Sequence, residues 1–393
     1  MMAAISAARL GADVTVLEHM DRIGKKILST GNGKCNYTNR KQGFRCYRSE
    51  NPAFVLPSLQ QFGFEETVAF FKSLGIVPKE RNGYFYPASG QASSVLDVLR
   101  MELRRLNVTI QTNCAVAFVR KHRQKFEIKA GNKIFVADKC IFACGGKAFP
   151  KSGSDGSAFC QIERLGHTFV SVVPALVQMR AKPSFFPSIA GIRTDAVIHL
   201  FVDEKEAGRD RGELQFTKEG VSGIPAFQVS RYAARAFEQK KKVCASLDLV
   251  PDFTDEELKR ELTGRFFRQD QKTAEEALIG FFPKKLIPVL LKENEISLHI
   301  AAADISKDKI KRLSHYLKHM TFELTGTEGF DKAQTCAGGV STAEIHADTM
   351  ESSIVSGLYF AGEVIDVDGI CGGYNLQWAW SSGYVAGTHA ARN

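Results

Sequence analysis

Apolar and polar positions cut the chain into short alternating elements. Met2 to Leu10 is small and apolar, the pattern of a closely packed helix, and Gly11 follows as a left-handed cap. Asp13 to Leu17 predicts a short buried strand built on Val14, Val16 and Leu17, ending at Glu18. Thr67 to Leu74 and Ser94 to Leu106 carry helical periodicity, whereas Val108 to Thr112 and Phe126 to Lys129 read as strands. Lys139 to Ala143 is a further buried strand that runs into Cys144, Gly145 and Gly146. From about Pro174 to Leu249 the segments turn β-like, as in Ala196 to Val202, and Thr254 to Met320 predicts helices rich in Lys and Glu. Gly-rich, apolar sequence returns from Gly338, with a buried strand at Leu358 to Ala361 and a final helix.

Helix, Gly turn, strand and terminal acid form the second half of a βαβ dinucleotide-binding unit. The first half, a strand and a G-x-G-x-x-G turn, does not stand before Met2. The fold expected is α/β: a Rossmann-like domain over residues 1–165 and 330–393, discontinuous and lacking that first strand. A β-rich and then helical second domain, 166–329, is inserted as the substrate or cap domain. A doubly wound sheet without its central strand is not a natural fold, so the expectation is a sequence shortened at its front.

Apolar residues at 44% and charged residues at 24% exclude disorder as the main state. No run of about 18 uncharged apolar residues occurs, and no secretory signal opens the chain, which predicts a cytoplasmic protein without a membrane partner. The nine cysteines show neither CxxC pairs nor zinc spacing, pointing to reduced thiols and no metal. A net charge of +9 is a weak pointer to nucleic acid on a chain of 393 residues.

Glu18 stands where a carboxylate accepts both ribose hydroxyls of an adenine nucleotide and repels a 2′-phosphate, favouring FAD or NAD over NADP; alone, it would read as a solvated acid. The run Gly24 to Asn39 is too dense in Gly, Asn and Thr for a packed element. Its small residues and cations Lys25, Lys26 and Lys34 suit a loop around pyrophosphate and flavin, and equally a surface loop. Gly362 and Glu363 end a buried strand, and Glu363 is placed to hold a ribityl hydroxyl. Gly372 and Gly373 lead into a helix whose first N–H groups, on Tyr374, Asn375 and Leu376, would stabilise negative charge on a reduced flavin. Trp378 and Trp380 read as packing residues, and so does Cys35, which lacks a partner cysteine.

The strings GKKILSTGNGKCNYTN, TCAGGVSTAEI and LYFAGEVIDVDGICGGYNLQWAWSSGYVAG closely resemble the BaiN-like, aminoacetone oxidase-like family of FAD-binding enzymes, and the match runs nearly end to end. The resemblance implies a two-domain flavoprotein. Glu18 matches the ribose-binding acid, and Thr30, Gly31, Asn32, Gly33, Lys34, Cys35 and Asn36 match the loop beside the flavin. Val116 matches the position whose backbone meets adenine, Gly145 and Gly146 the nucleotide-side turn, and Gly362, Glu363, Asn375, Leu376 and Gln377 the C-terminal flavin contacts. Family members carry a Gly-rich phosphate loop directly before the residue aligned with Met2, and these 393 residues do not. The function expected is hydride transfer between flavin N5 and a small or steroid-like molecule, with NAD(P)H as a transient donor or O2 as the second partner. No catalytic side chain is singled out. An RNA-modifying flavoenzyme and a non-catalytic redox sensor are the alternatives.

Overall fold

The computed structural model describes residues 1–268 and 271–392, which divide into one unit of Met1–Pro174 with Phe330–Asn393 and a second of Ala175–Gly329. The division falls after Pro174 and not after residue 165. Phe169–Ala175 is a strand that pairs with Thr335–Val340, so hydrogen bonding ties it to the first unit.

In the first unit, strand Thr15–Leu17 lies parallel to Thr109–Gln111, and Cys140–Phe142 lies parallel to Leu358–Phe360. Each pair is a separate two-stranded sheet. That explains a departure from the expected buried strand at residues 13–17: Thr15 is exposed and Val16 and Leu17 are half-buried, because only one neighbour flanks them. Leu358, Tyr359 and Phe360, by contrast, are fully buried.

Helix Met2–Arg9 packs against the long helix Tyr374–Arg392 through small residues. A Cβ built on Gly387 would fall 2.2 Å from the Ala3 carbonyl oxygen, so only glycine permits this approach. The side chains that keep the interface thin are thus set by backbone distance and not by hydrophobicity.

The second unit is a closed six-stranded barrel, wholly antiparallel, in the order Met179–Ala181, Gly220–Gly223, Lys205–Phe216, Arg193–Val202, Val243–Asp248, Met320–Thr327. Closure removes exposed strand edges. Helices Asp255–Phe267, Ala274–Leu278, Ile287–Lys292 and Lys307–Lys318 lie in sequence between its last two strands. Two of them start with reciprocal caps, Thr254 with Glu257 and Thr273 with Glu276. The unit therefore ends on a strand, where the sequence reading stopped at helices, although Met320–Thr327 alternates buried and exposed positions as a strand should.

Candidate cofactor site

Glu18 follows its strand directly, and its Oε1 accepts the Met20 N–H at 2.9 Å. The neighbouring chain is bound to the same turn: Cys114 N–H donates to the Glu18 carbonyl at 2.9 Å and Asn113 N–H to the Met20 carbonyl at 2.8 Å. Val116, which opens strand Val116–His122, lies two residues beyond that contact. Gly153 approaches from another side, a Cβ there falling 3.6 Å from Glu18 Oε1.

Gly145 (φ +74°) and Gly146 follow strand Cys140–Phe142. A Cβ on Gly145 would meet Ser154 Oγ at 2.8 Å, and one on Gly146 would meet Cys336 Sγ at 3.0 Å and Glu363 Oε1 at 3.2 Å. Glu363 is anchored: its Oε1 accepts the Cys336 N–H at 2.8 Å, and its Oε2 accepts Lys26 Nζ at 2.7 Å. Lys26 also donates to the Ala148 carbonyl at 3.1 Å. Each carboxylate oxygen retains acceptor capacity for a further donor. Cys336 takes the Lys147 N–H at 3.1 Å, and burial, aided by the Glu363 carboxylate, pushes its thiol far up. Burial likewise raises Cys35 to about 11 and Cys140 to about 12, so these sulfurs stay protonated and unreactive at neutral pH.

The Gly-rich run is not the unpacked loop expected from its composition: Lys25–Ser29 is a short helix, Thr30–Gly33 a 3-10 turn and Thr38–Asn39 a strand, and Cys35 to Asn39 are buried, so only Gly31 to Lys34 form an exposed turn. Gly31 and Asn32 are both left-handed (φ +54° and +52°), and Gly33 and Cys35 also have positive φ. Gly31, Asn32, Gly33 and Lys34 are exposed, whereas Cys35 is fully buried. Thr30 spends its hydroxyl on the Ile27 carbonyl at 2.6 Å. Asn36 is 9% exposed and its Oδ1 has no partner; it faces Gly373, whose Cβ position lies 2.9 Å away. Beyond Gly373 the N–H groups of Tyr374, Asn375 and Leu376 open a 19-residue helix, and Gln377 N–H is the first to bond back, to the Gly373 carbonyl at 2.9 Å.

Several assignments change. Lys25 pairs with Asp21, and it is Lys26, one residue on, that reaches Glu363. Gln377 is wholly buried, its Oε1 accepting Thr38 Oγ1 at 2.5 Å and its Nε2 lying within hydrogen-bond distance of Thr67 Oγ1, Ser381 Oγ, Gly63 O and Phe62 O. It ties helix to loop from inside and has nothing left for a ligand. The Asn375 side chain clamps both backbone groups of Gly369, at 2.8 and 2.9 Å. Gly362 (φ +77°) has its N–H on Ser382 Oγ and its carbonyl on Trp378 Nε1. A Cβ on Gly373 would strike the Thr38 backbone at 3.0 Å, so this glycine is required by chain packing. Sequence reading missed Ser154, 4% exposed with an unpartnered hydroxyl, because nothing in a Ser-Gly-Ser-Asp-Gly turn marks one serine as buried.

Glu18, Gly145, Gly146, Glu363, the 30–36 loop and the helix start thus belong to one unit, offering glycine approaches, a fixed carboxylate, free N–H groups and two orphaned buried polar atoms. That set fits FAD: a hydrogen-bonding acid for ribose, glycines with no side chain to bar a diphosphate, and a positive helix end for the ring. Among the described residues no group could hold a metal ion. A line of Ser352 Oγ, His167 and Glu344, at 2.9 and 3.0 Å, resembles a hydrolase triad, but Ser352 Oγ also accepts the N–H groups of Ile354 and Val355 and all of it is used as structure.

The fold and these residues define an FAD-dependent oxidoreductase with a Rossmann-like domain. The chain belongs to the family of the HI0933-like protein Rossmann domain, whose family model matches residues 1–389. It is 44% identical over 393 residues to a 3-dehydro-bile acid delta(4,6)-reductase of Clostridium scindens, covering 100% of this chain and 96% of the relative. It is 30% identical to a ribosomal RNA dihydrouridine synthase of Haemophilus influenzae over 100% of this chain and 96% of the relative. A ribosomal RNA dihydrouridine synthase of Escherichia coli is 28% identical over 98% of this chain and 94% of that protein.

Proposed function

We propose that this protein reduces a ring carbon–carbon double bond activated by a carbonyl, in a steroid-like substrate, with NAD(P)H as the transient donor. The observation that carries this reading is the site itself: Lys26 and Glu363 anchor one another and the buried thiols stay protonated, so redox chemistry falls to the cofactor and not to a side-chain acid or nucleophile. Bound FAD supplies the hydride acceptor and donor. The chain's residues bind and orient it: Glu18 holds the ribose, Gly145 and Gly146 let the backbone close on the diphosphate, and Ser154 and Asn36 offer their unpartnered oxygens. The N–H groups of Tyr374, Asn375 and Leu376 favour negative charge on the ring.

The substrate class follows from the 44% relative, named for reducing a 3-dehydro-bile acid at positions 4 and 6. A second reading, reduction of uridine in ribosomal RNA, is favoured by two relatives at 30% and 28% and by the +9 charge. Both names describe hydrogen added across a ring double bond, so the two readings share chemistry and differ in substrate. The test is anaerobic: enzyme reduced by NADH or NADPH is mixed with a 3-oxo-4,6-diene steroid acid or with unmodified ribosomal RNA. Loss of diene absorbance with flavin reoxidation supports the first reading; reoxidation by RNA alone replaces it with the second.

A further inference from the structure

On the first unit a cleft of about 390 Å³ opens between the C-terminal halves of three helices: Met2–Arg9, Phe64–Ser73 and Tyr374–Arg392. Its walls are aromatic: Phe62 and Tyr384 stack at 4.6 Å, and Phe70 lies beneath the Arg9 guanidinium at 5.0 Å. Two hydroxyls line it from nearly buried residues, Ser6 (6% exposed) and Thr388 (5% exposed). Several helical serines and threonines donate back to a carbonyl one turn earlier, among them Ser73 of this same cleft, Ser230, Thr263 and Ser382. Ser6 and Thr388 make no such bond and no other among the described residues, so both hydroxyls are left for an occupant. At the mouth Arg9 is fixed by Glu102 at 2.6 Å, while Arg392 forms no ion pair among the described residues.

We propose that this cleft is a second binding site, separate from the cofactor site, for a small aromatic carboxylate bearing a hydroxyl or keto oxygen. Each part of that ligand answers to one part of the cleft. The flat apolar body lies against Phe62, Phe70 and Tyr384, where stacking adds to burial. The oxygen bonds Ser6 and Thr388, whose hydroxyls reach water in the open cleft and would lose it under an occupant that offered them no partner. The carboxylate meets Arg392, one helical turn and so about 6 Å along the helix from Thr388. The volume of about 390 Å³ lies at the lower end of the range of small-molecule sites. None of these residues belongs to the cofactor cradle.

The test is equilibrium binding of 4-hydroxycinnamate to the flavin-loaded enzyme by calorimetry, with 4-hydroxycinnamamide as the uncharged probe. Expected are saturable one-site binding, at least tenfold weaker binding of the amide, and at least tenfold weaker binding in Arg392→Gln and in Thr388→Val, both with unchanged flavin content. Absence of saturable binding in the wild type would overturn the proposal. So would variants that bind as the wild type does, or a carboxylate whose binding displaces or spectrally shifts the flavin, since the ligand would then sit in the cofactor site.

Discussion

At the scale of the residue, position matters more than type. Lys25 and Lys26 are chemically alike and both half-buried, yet one pairs with Asp21 and the other reaches Glu363, because successive helical residues point about 100° apart. Glu18→Ala should weaken FAD binding by about 1.5 to 3 kcal/mol, the worth of hydrogen bonds to a charged acceptor. Fluorescence titration of apoprotein with FAD measures this, and an unchanged dissociation constant would return Glu18 to the role of a turn residue for Met20. Gln377→Leu acts elsewhere. It strands Thr38 Oγ1 and Thr67 Oγ1 in the interior, each orphan costing about 1 to 3 kcal/mol, whereas the Gly63 carbonyl keeps the Thr67 N–H. A fall in Tm is expected, with the absorption spectrum of the flavin that remains bound left unchanged; a shifted spectrum at wild-type Tm would make Gln377 a flavin contact after all.

At the scale of the element, polar locks hold segments that hydrophobic pattern alone leaves loose. His167 ties the loop at Ser352 to Glu344, and burial lowers its pKa below the ordinary 6.5, outweighing the opposite pull of the Glu344 carboxylate. The unfolded chain then takes up the proton first, so stability is intact above about pH 6.5 and is lost as pH falls below that value. Thermal melts between pH 8 and 5 should show this slope, and His167→Gln should flatten it. Glu102 joins helix Met2–Arg9 to helix Ala92–Arg105 through Arg9 and Arg105, and the Arg105 hydrogen bonds, with those of Arg9, hold its carboxyl down at about 2 despite burial. Its contribution is present above the ordinary 4.5 and lost as pH falls toward 2. Glu102→Gln should thus lower Tm at pH 7 and narrow the gap to wild type near pH 3, where a constant gap would point to packing.

These cases also mark what the sequence could tell. The helix at Met2, the terminal acid Glu18 and the double glycine before Tyr374 were readable because glycine and periodicity act locally, whereas the short helix Lys25–Ser29 inside the Gly-rich run was not. The Gln377 hub, the burial of Ser154 and the contact of Lys26 with Glu363 were not, since each depends on parts of the chain far away in sequence. Strand Met320–Thr327 was readable from its alternation and was hidden only by the helical sequence before it.

At the scale of the molecule, the second unit carries its own core, in which Ile198, Leu200, Leu214, Phe216, Leu258 and Leu262 are all fully buried. A fragment of Ala175–Gly329 should therefore fold alone, with a cooperative melt followed by circular dichroism and no affinity for FAD. A non-cooperative, molten fragment would show that its core depends on the rest of the chain.

Lys26 and Glu363, bonded in the finished protein, are 337 residues apart. On a ribosome adding about 5 to 20 residues each second, roughly 20 to 70 s separate the appearance of the two. The self-contained barrel can condense within that interval, but the first half of the cradle must wait. A nascent chain is therefore blind to FAD for most of its synthesis, and cofactor capture is a late event, timed by translation of the last helix.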